Sequence, residues 1–119
     1  MADYSASSLP DLTSLTAIVT GASSGIGRAT VRALASAGAH VVLAVRDEAK
    51  GTATAAGIAG TTEVRPLDLA DLSSVHRFAA EWRSPIHLLI NNAGVYARTL
   101  TRTADGFELD LGTNHLGHF

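Results

Sequence analysis

Short aliphatic runs alternate along this chain with stretches in which apolar residues fall three or four positions apart. Thr16–Thr20 is apolar on both faces and too short for a helix, so it predicts a covered strand. Ile26, Ala29, Ala33 and Ala37 then recur at helical spacing and stop at Gly38, predicting a helix whose small face lies close on a sheet. Val41–Val45 repeats the strand pattern, and Arg46 to Gly57 is a weaker helical stretch interrupted by Gly51. Glu63–Leu67 predicts a third strand, limited by Pro66. Asp71 is placed to cap a helix carrying Leu72, Val75, Phe78, Ala79 and Trp82 on one stripe, which Ser84-Pro85 stops. Ile86–Ile90 predicts the fourth strand. This alternation signals βαβ units on a parallel sheet.

After a looser stretch from Val95 to Arg102, Phe107, Leu111 and Asn114 share one helical stripe, flanked by Leu109, Gly112 and Leu116. An amide in an apolar stripe is expected to be buried and to need a hydrogen-bond partner. At the other end, residues 1–14 are rich in Ser, Asp and Pro and read as a flexible tail, with order beginning near Thr16. The expected domain is 15–119.

Composition narrows the partners. With 46% hydrophobic and 17% charged residues, the 119-residue chain reads as one folded domain. A formal charge of -2 advertises no surface for nucleic acid or an anionic membrane. The absence of cysteine excludes disulfides and thiolate chemistry. No apolar run approaches a membrane span and the N-terminus has no secretory pattern, so a soluble, cytosolic chain is expected.

The candidate chemistry begins at TGASSGIG, Thr20 to Gly27, between the first strand and the first helix. A glycine-rich turn feeding a helix aims backbone N–H groups and the positive end of the helix dipole at one spot, which favours phosphate. Gly21 suits a positive φ, Gly25 lets a pyrophosphate approach the backbone, and Gly27 permits close packing. The spacing departs from GxGxxG, and no Lys-Ser or Lys-Thr follows as in the NTPase phosphate loop. His115 and His118 stand three apart, but no further ligand is spaced to complete a metal site, so none is expected.

TGASSGIG resembles the cofactor fingerprint of the classical short-chain dehydrogenases/reductases, and Asn91-Asn92-Ala93-Gly94 is similar to that family's second signature, at the end of the fourth strand. Gly106 to Phe119, GFELDLGTNHLGHF, most resembles its branch of retinol-dehydrogenase-like and protochlorophyllide-reductase-like enzymes. The resemblance implies an α/β, Rossmann-type doubly wound sheet, here its first four strands in the order 3-2-1-4 with flanking helices. It implies a dinucleotide held by Gly21, Ser23, Ser24, Gly25, Ile26 and Gly27, by Asp68 and Leu69 at the adenine, and by Asn92, Ala93 and Gly94. Asn91 would be mainly structural, and Asn114 matches the asparagine of the family's catalytic proton relay.

At the end of the second strand, a carboxylate would favour the ribose 2′-OH of NAD and a cation the 2′-phosphate of NADP. Val45 stands where NAD-preferring members place an acid, and Arg46 follows it, so NADP(H) is favoured over NAD(H). The family's catalytic tyrosine and lysine, spaced YxxxK, do not occur: the only tyrosines are Tyr4 and Tyr96 and the only lysine is Lys50. The expectation is therefore the N-terminal, cofactor-binding half of an NADP(H)-dependent oxidoreductase acting on a small carbonyl or alcohol. The alternatives are a non-catalytic NADP(H) sensor and a truncated chain without independent activity. Alone, its fourth strand would keep an unpaired apolar edge and favour self-association as a homo-oligomer.

Overall fold

A computed structural model describes residues 3–119. Strands β1 (Thr16–Thr20), β2 (His40–Val45), β3 (Thr61–Pro66) and β4 (Leu88–Ile90) form one parallel sheet in the order β3-β2-β1-β4, as the alternating pattern and the family resemblance led us to expect. The connecting helices are α1 (Gly25–Ser36), α2 (Glu48–Ala56) and α3 (Leu72–Glu81). After β4 the chain crosses the end of the sheet to a single turn, α4 (Leu109–Leu111). There the coil widens into a π-type turn over Gly112–Leu116, closed by the Gly117 N–H on the Gly112 carbonyl at 2.7 Å.

Strand side chains alternate between the two faces. Ala17, Val19, Val41, Leu43 and Val45 meet Val31, Leu34 and Ala35 of α1 in one cluster. Ile18, Val42 and Ala44 point the other way, to Leu67 and Leu69, with Val75, Phe78 and Trp82 packed partly against them. Asp71 caps α3 as expected, accepting the Ser73 N–H at 2.9 Å.

Several expectations need correction. The buried face of α1 is Gly27, Val31, Leu34 and Ala35, whereas Ile26 is 79% exposed. Gly27 must lie on the loop, and that fixes the helix rotation: a Cβ there would collide with the Gly21 carbonyl and the Asn92 side chain. Gly51 does not interrupt α2; it is buried where the helix rests on the sheet, its Cβ position 2.6 Å from Val45 Cγ2. β3 starts earlier, at Thr61, and Leu67 lies beyond it. β4 begins only at Leu88, because the His87 ring Nδ1 accepts the Thr16 N–H at 2.9 Å in place of a backbone carbonyl. Packing also reaches upstream of Thr16: Leu12 is buried, and its N–H donates to the Ala37 carbonyl at 2.8 Å.

Candidate dinucleotide site

β1 has its successors β2 and β3 on one side and β4 on the other, so the chain reverses its winding between β1 and β4. Such a switch point leaves a crevice beyond the carboxyl ends of the strands. A cavity of about 690 Å³ opens there.

Its first wall is the β1–α1 loop: Gly21, Ser23, Ser24, Gly25, Ile26 and Gly27 all line it. Gly21 turns the chain at φ +62, and its N–H donates to the Ala44 carbonyl at 3.1 Å. A Cβ on Gly21 would sit 2.7 Å from the Ala93 Cα, so the glycine also admits the neighbouring loop. Gly25 has φ +54 with no atom within 4 Å of its Cβ position, leaving its backbone bare toward the cavity. The first N–H groups of a helix have no intrahelical partner, and the Ser24 side chain takes none of them here. Free N–H donors and the positive end of a twelve-residue helix dipole meet at this opening.

The loop after β4 supplies the facing wall with Asn92, Ala93 and Gly94. Backbone N–H groups of Asn92 and Ala93 donate to Thr20 Oγ1 at 3.0 and 2.9 Å. The Asn92 Nδ2 donates to the carbonyls of Thr20, at 2.9 Å, and of Gly21, at 3.3 Å. The structural tie expected of Asn91 is thus made by Asn92, while Asn91 is exposed.

Asp68 and Leu69 line the cavity from the segment after β3. Asp68 Oδ1 accepts the Ala70 N–H at 2.9 Å, and the Asp68 N–H donates to Ser74 Oγ at 2.9 Å, anchoring this segment to α3. Arg46 reaches the cavity from the end of β2 and is exposed, with Lys50 beside it. The neighbouring Asp47 caps α2, its Oδ1 accepting the Lys50 N–H at 3.0 Å.

Asn114 stands apart from the other candidates. It is exposed, not buried, because the stripe it shares with Phe107 and Leu111 faces outward. It does find a partner: its Oδ1 accepts the Val95 N–H at 2.8 Å and its Nδ2 donates to the Val95 carbonyl at 2.9 Å. Val95 lines the cavity, so Asn114 fixes the far end of the β4 loop without lining the cavity itself. Glu108 holds the start of the same turn, and the N–H groups of Leu111 and Asp110 keep its carboxyl below the usual range.

Sequence reasoning missed Thr20, buried beneath both loops, and Thr113, whose Oγ1 is buried without a partner among the described residues. Thr20 opens the glycine-rich stretch, but its place at the end of a strand gives it no role of its own in the pattern. Thr113 gave no signal, since its neighbour Asn114 carried the expectation. It also missed Lys50, which lines the cavity together with Arg46.

The family model for short chain dehydrogenase matches residues 15–118. Retinol dehydrogenase 11 of Mus musculus is 50% identical over 111 residues, covering 87% of this chain and 35% of that enzyme. A probable oxidoreductase of Streptomyces lividans is 49% identical over 115 residues, covering 92% of this chain and 38% of that protein. The crystal structure of a protein from Mycobacterium Paratuberculosis superposes with a TM-score of 0.92 at 53% identity, covering 97% of this chain and 42% of that one. A metagenomic short-chain oxidoreductase in complex with NADP gives a TM-score of 0.60 at 42% identity, over 71% of this chain and 41% of that one. The chain thus spans well under half the length of these relatives.

Proposed function

The chain belongs to the short-chain dehydrogenase family, and on that premise we propose that it is the NADP(H)-binding portion of an oxidoreductase that moves a hydride between nicotinamide and a carbonyl or alcohol carbon. One observation carries the dinucleotide reading: the N-terminus of α1, uncapped by Ser24, opens on the cavity beside the bare backbone of Gly25. Pyrophosphate would lie against that opening, and adenosine between Asp68 and Leu69 on one side and Arg46 on the other. When bound, the cofactor supplies the hydride chemistry; this chain's residues bind and orient it. Asn92 and Ala93 hold the wall that would face the nicotinamide end, and Asn114 braces that wall through Val95.

The preference for NADP(H) rests on the charges at the end of β2. Arg46 and Lys50 are exposed at the cavity; of the two acids between them, Asp47 is engaged as a helix cap and Glu48 lies in the first turn of α2 outside the cavity lining. A 2′-phosphate bound there would meet two cations. Replacing Arg46→Asp is expected to weaken NADPH by about tenfold, or ~1.4 kcal/mol, with a much smaller loss for NADH. Calorimetric titration with both cofactors reads this directly, and equal losses would sink the NADP assignment.

A second reading, a dinucleotide-binding module without turnover, is favoured by the absence of a YxxxK pair from these 119 residues. Hydride transfer to any carbonyl substrate by this chain alone would exclude it. Self-association is part of the same proposal, supported by the β4 edge, where Leu89 is 56% exposed.

A further inference from the structure

Thr20 Oγ1 lies at the junction of the two cavity walls and has three neighbours. It accepts the N–H groups of Asn92 and Ala93 at 3.0 and 2.9 Å, and it sits 2.7 Å from His118 Nε2. A threonine hydroxyl has two lone pairs and one proton. Both lone pairs are occupied, so the proton goes to His118 and Nε2 must accept. The other ring nitrogen gives the same answer independently. His118 Nδ1 lies 3.1 Å from the Asn114 carbonyl, which can only accept, so Nδ1 carries the hydrogen.

We propose that His118, as the neutral Nδ1–H tautomer, is a positioning residue for the dinucleotide site. By taking the Thr20 proton it leaves both lone pairs of Oγ1 to the β4 loop, and the wall formed by Asn92 and Ala93 is held against the glycine turn. The same turn of chain works twice: Asn114 clamps Val95 with its side chain while its carbonyl orients the His118 ring. Thr20 is 3% exposed, so water cannot readily replace the lost acceptor. The inference rests on the dinucleotide reading above and gives that site a residue that touches no ligand itself.

The test has two arms on the full 119-residue chain. In the ligand-free protein, two-bond ¹H–¹⁵N correlation spectra of the imidazole at neutral pH should show the Nδ1–H form of His118. The Nε2–H form would overturn the inference, and this arm needs no variant to fold. In the second arm, His118→Phe should weaken NADPH about tenfold, the scale of one buried hydrogen bond left unmade. His118→Gln, whose amide keeps one acceptor and one donor, should restore most of that loss. Equal affinity in H118F and the parent, or no rescue by H118Q, overturns the positioning role. Failure of the unsubstituted chain to bind NADPH or NADH would instead overturn the functional reading, leaving the tautomer result to stand by itself.

Discussion

The two faces of the sheet are built differently, although the same strands supply both. On the face under α1 and α2, twelve buried residues form one continuous cluster that runs from Leu12 to Ile58. On the opposite face the hydrophobic cluster among the described residues buries Ile18, Val42, Ala44, Leu67 and Leu69, and α3 contributes no buried residue. The first face is closed by aliphatic packing. The second is margined by a polar chain: His40 Nε2 is 3.1 Å from Glu63, Glu63 pairs with Arg65, and the Arg65 guanidinium lies 4.7 Å from the Trp82 ring centroid. Function follows the closed face, since α1 can present its N-terminus to a ligand only if its rotation is fixed by Gly27, Val31 and Leu34 packing beneath it.

The largest expected effect tests that asymmetry directly. Leu43, fully buried on the closed face, should cost about 2–5 kcal/mol on truncation to Ala, the range for a cavity that relaxes incompletely. Phe78 is larger but only half-buried, and Phe78→Ala should cost about 1–2 kcal/mol, in proportion to the area it hides. Urea unfolding midpoints compared at constant m would measure both. A Phe78→Ala loss equal to that of Leu43→Ala would break the comparison.

A finer version concerns how tightly α2 sits on the closed face. Gly51→Ala would gain about 1 kcal/mol of helix propensity. Its new methyl would press on Val45 Cγ2 at 2.6 Å and Val64 Cγ1 at 3.0 Å, and overpacking of that kind costs about 1–3 kcal/mol. The net expectation is a destabilisation of about 0–2 kcal/mol in thermal or urea scans. A clear stabilisation would mean that α2 rides loosely and that the face is less closed than its burial suggests.

What could be read in advance follows from how local each determinant is. The strands were legible because a covered parallel strand is a continuous aliphatic run, and the topology followed from that alternation together with the family pattern. The cavity wall from Gly21 to Gly27 was legible because one turn of chain contains it entirely. The rotation of α1 was not, since the alanine stripe and the Val31–Leu34 stripe are both helical in period. Contact of Gly27 with Asn92, which lies far along the chain, decides between them. Likewise Asn114 could be seen to need a partner, but not that it faces outward, because the stripe it shares with Phe107 and Leu111 is the exposed side of the segment that runs into the π-type turn at Gly112. That turn sits where a Cβ on Gly112 would strike Thr103, a contact no periodicity encodes.

The smallest expected effect belongs to the open face and separates it from the closed one by its dependence on pH. The hydrogen-bonded Arg65 guanidinium holds the Glu63 carboxyl below its ordinary 4.5, against the opposing effect of partial burial, with His40 adding to the pull. A carboxyl depressed in the folded state contributes stability that is present above its unfolded value and is lost as pH falls through the folded one. Glu63→Gln should therefore destabilise the chain slightly at about pH 7, and the difference should shrink towards zero as pH falls below the folded value of the Glu63 carboxyl, where both forms are uncharged. Because the side chains of Glu63 and Arg65 are 35% and 32% exposed, solvent screens the pair, and the loss should shrink further in high salt. Leu43→Ala should lose the same stability across that range, since no charge lies in that cluster. An acid-insensitive Glu63→Gln would remove the ionic margin from the account and leave the open face with packing alone, which at five buried residues would make α3 the first element to open in hydrogen exchange.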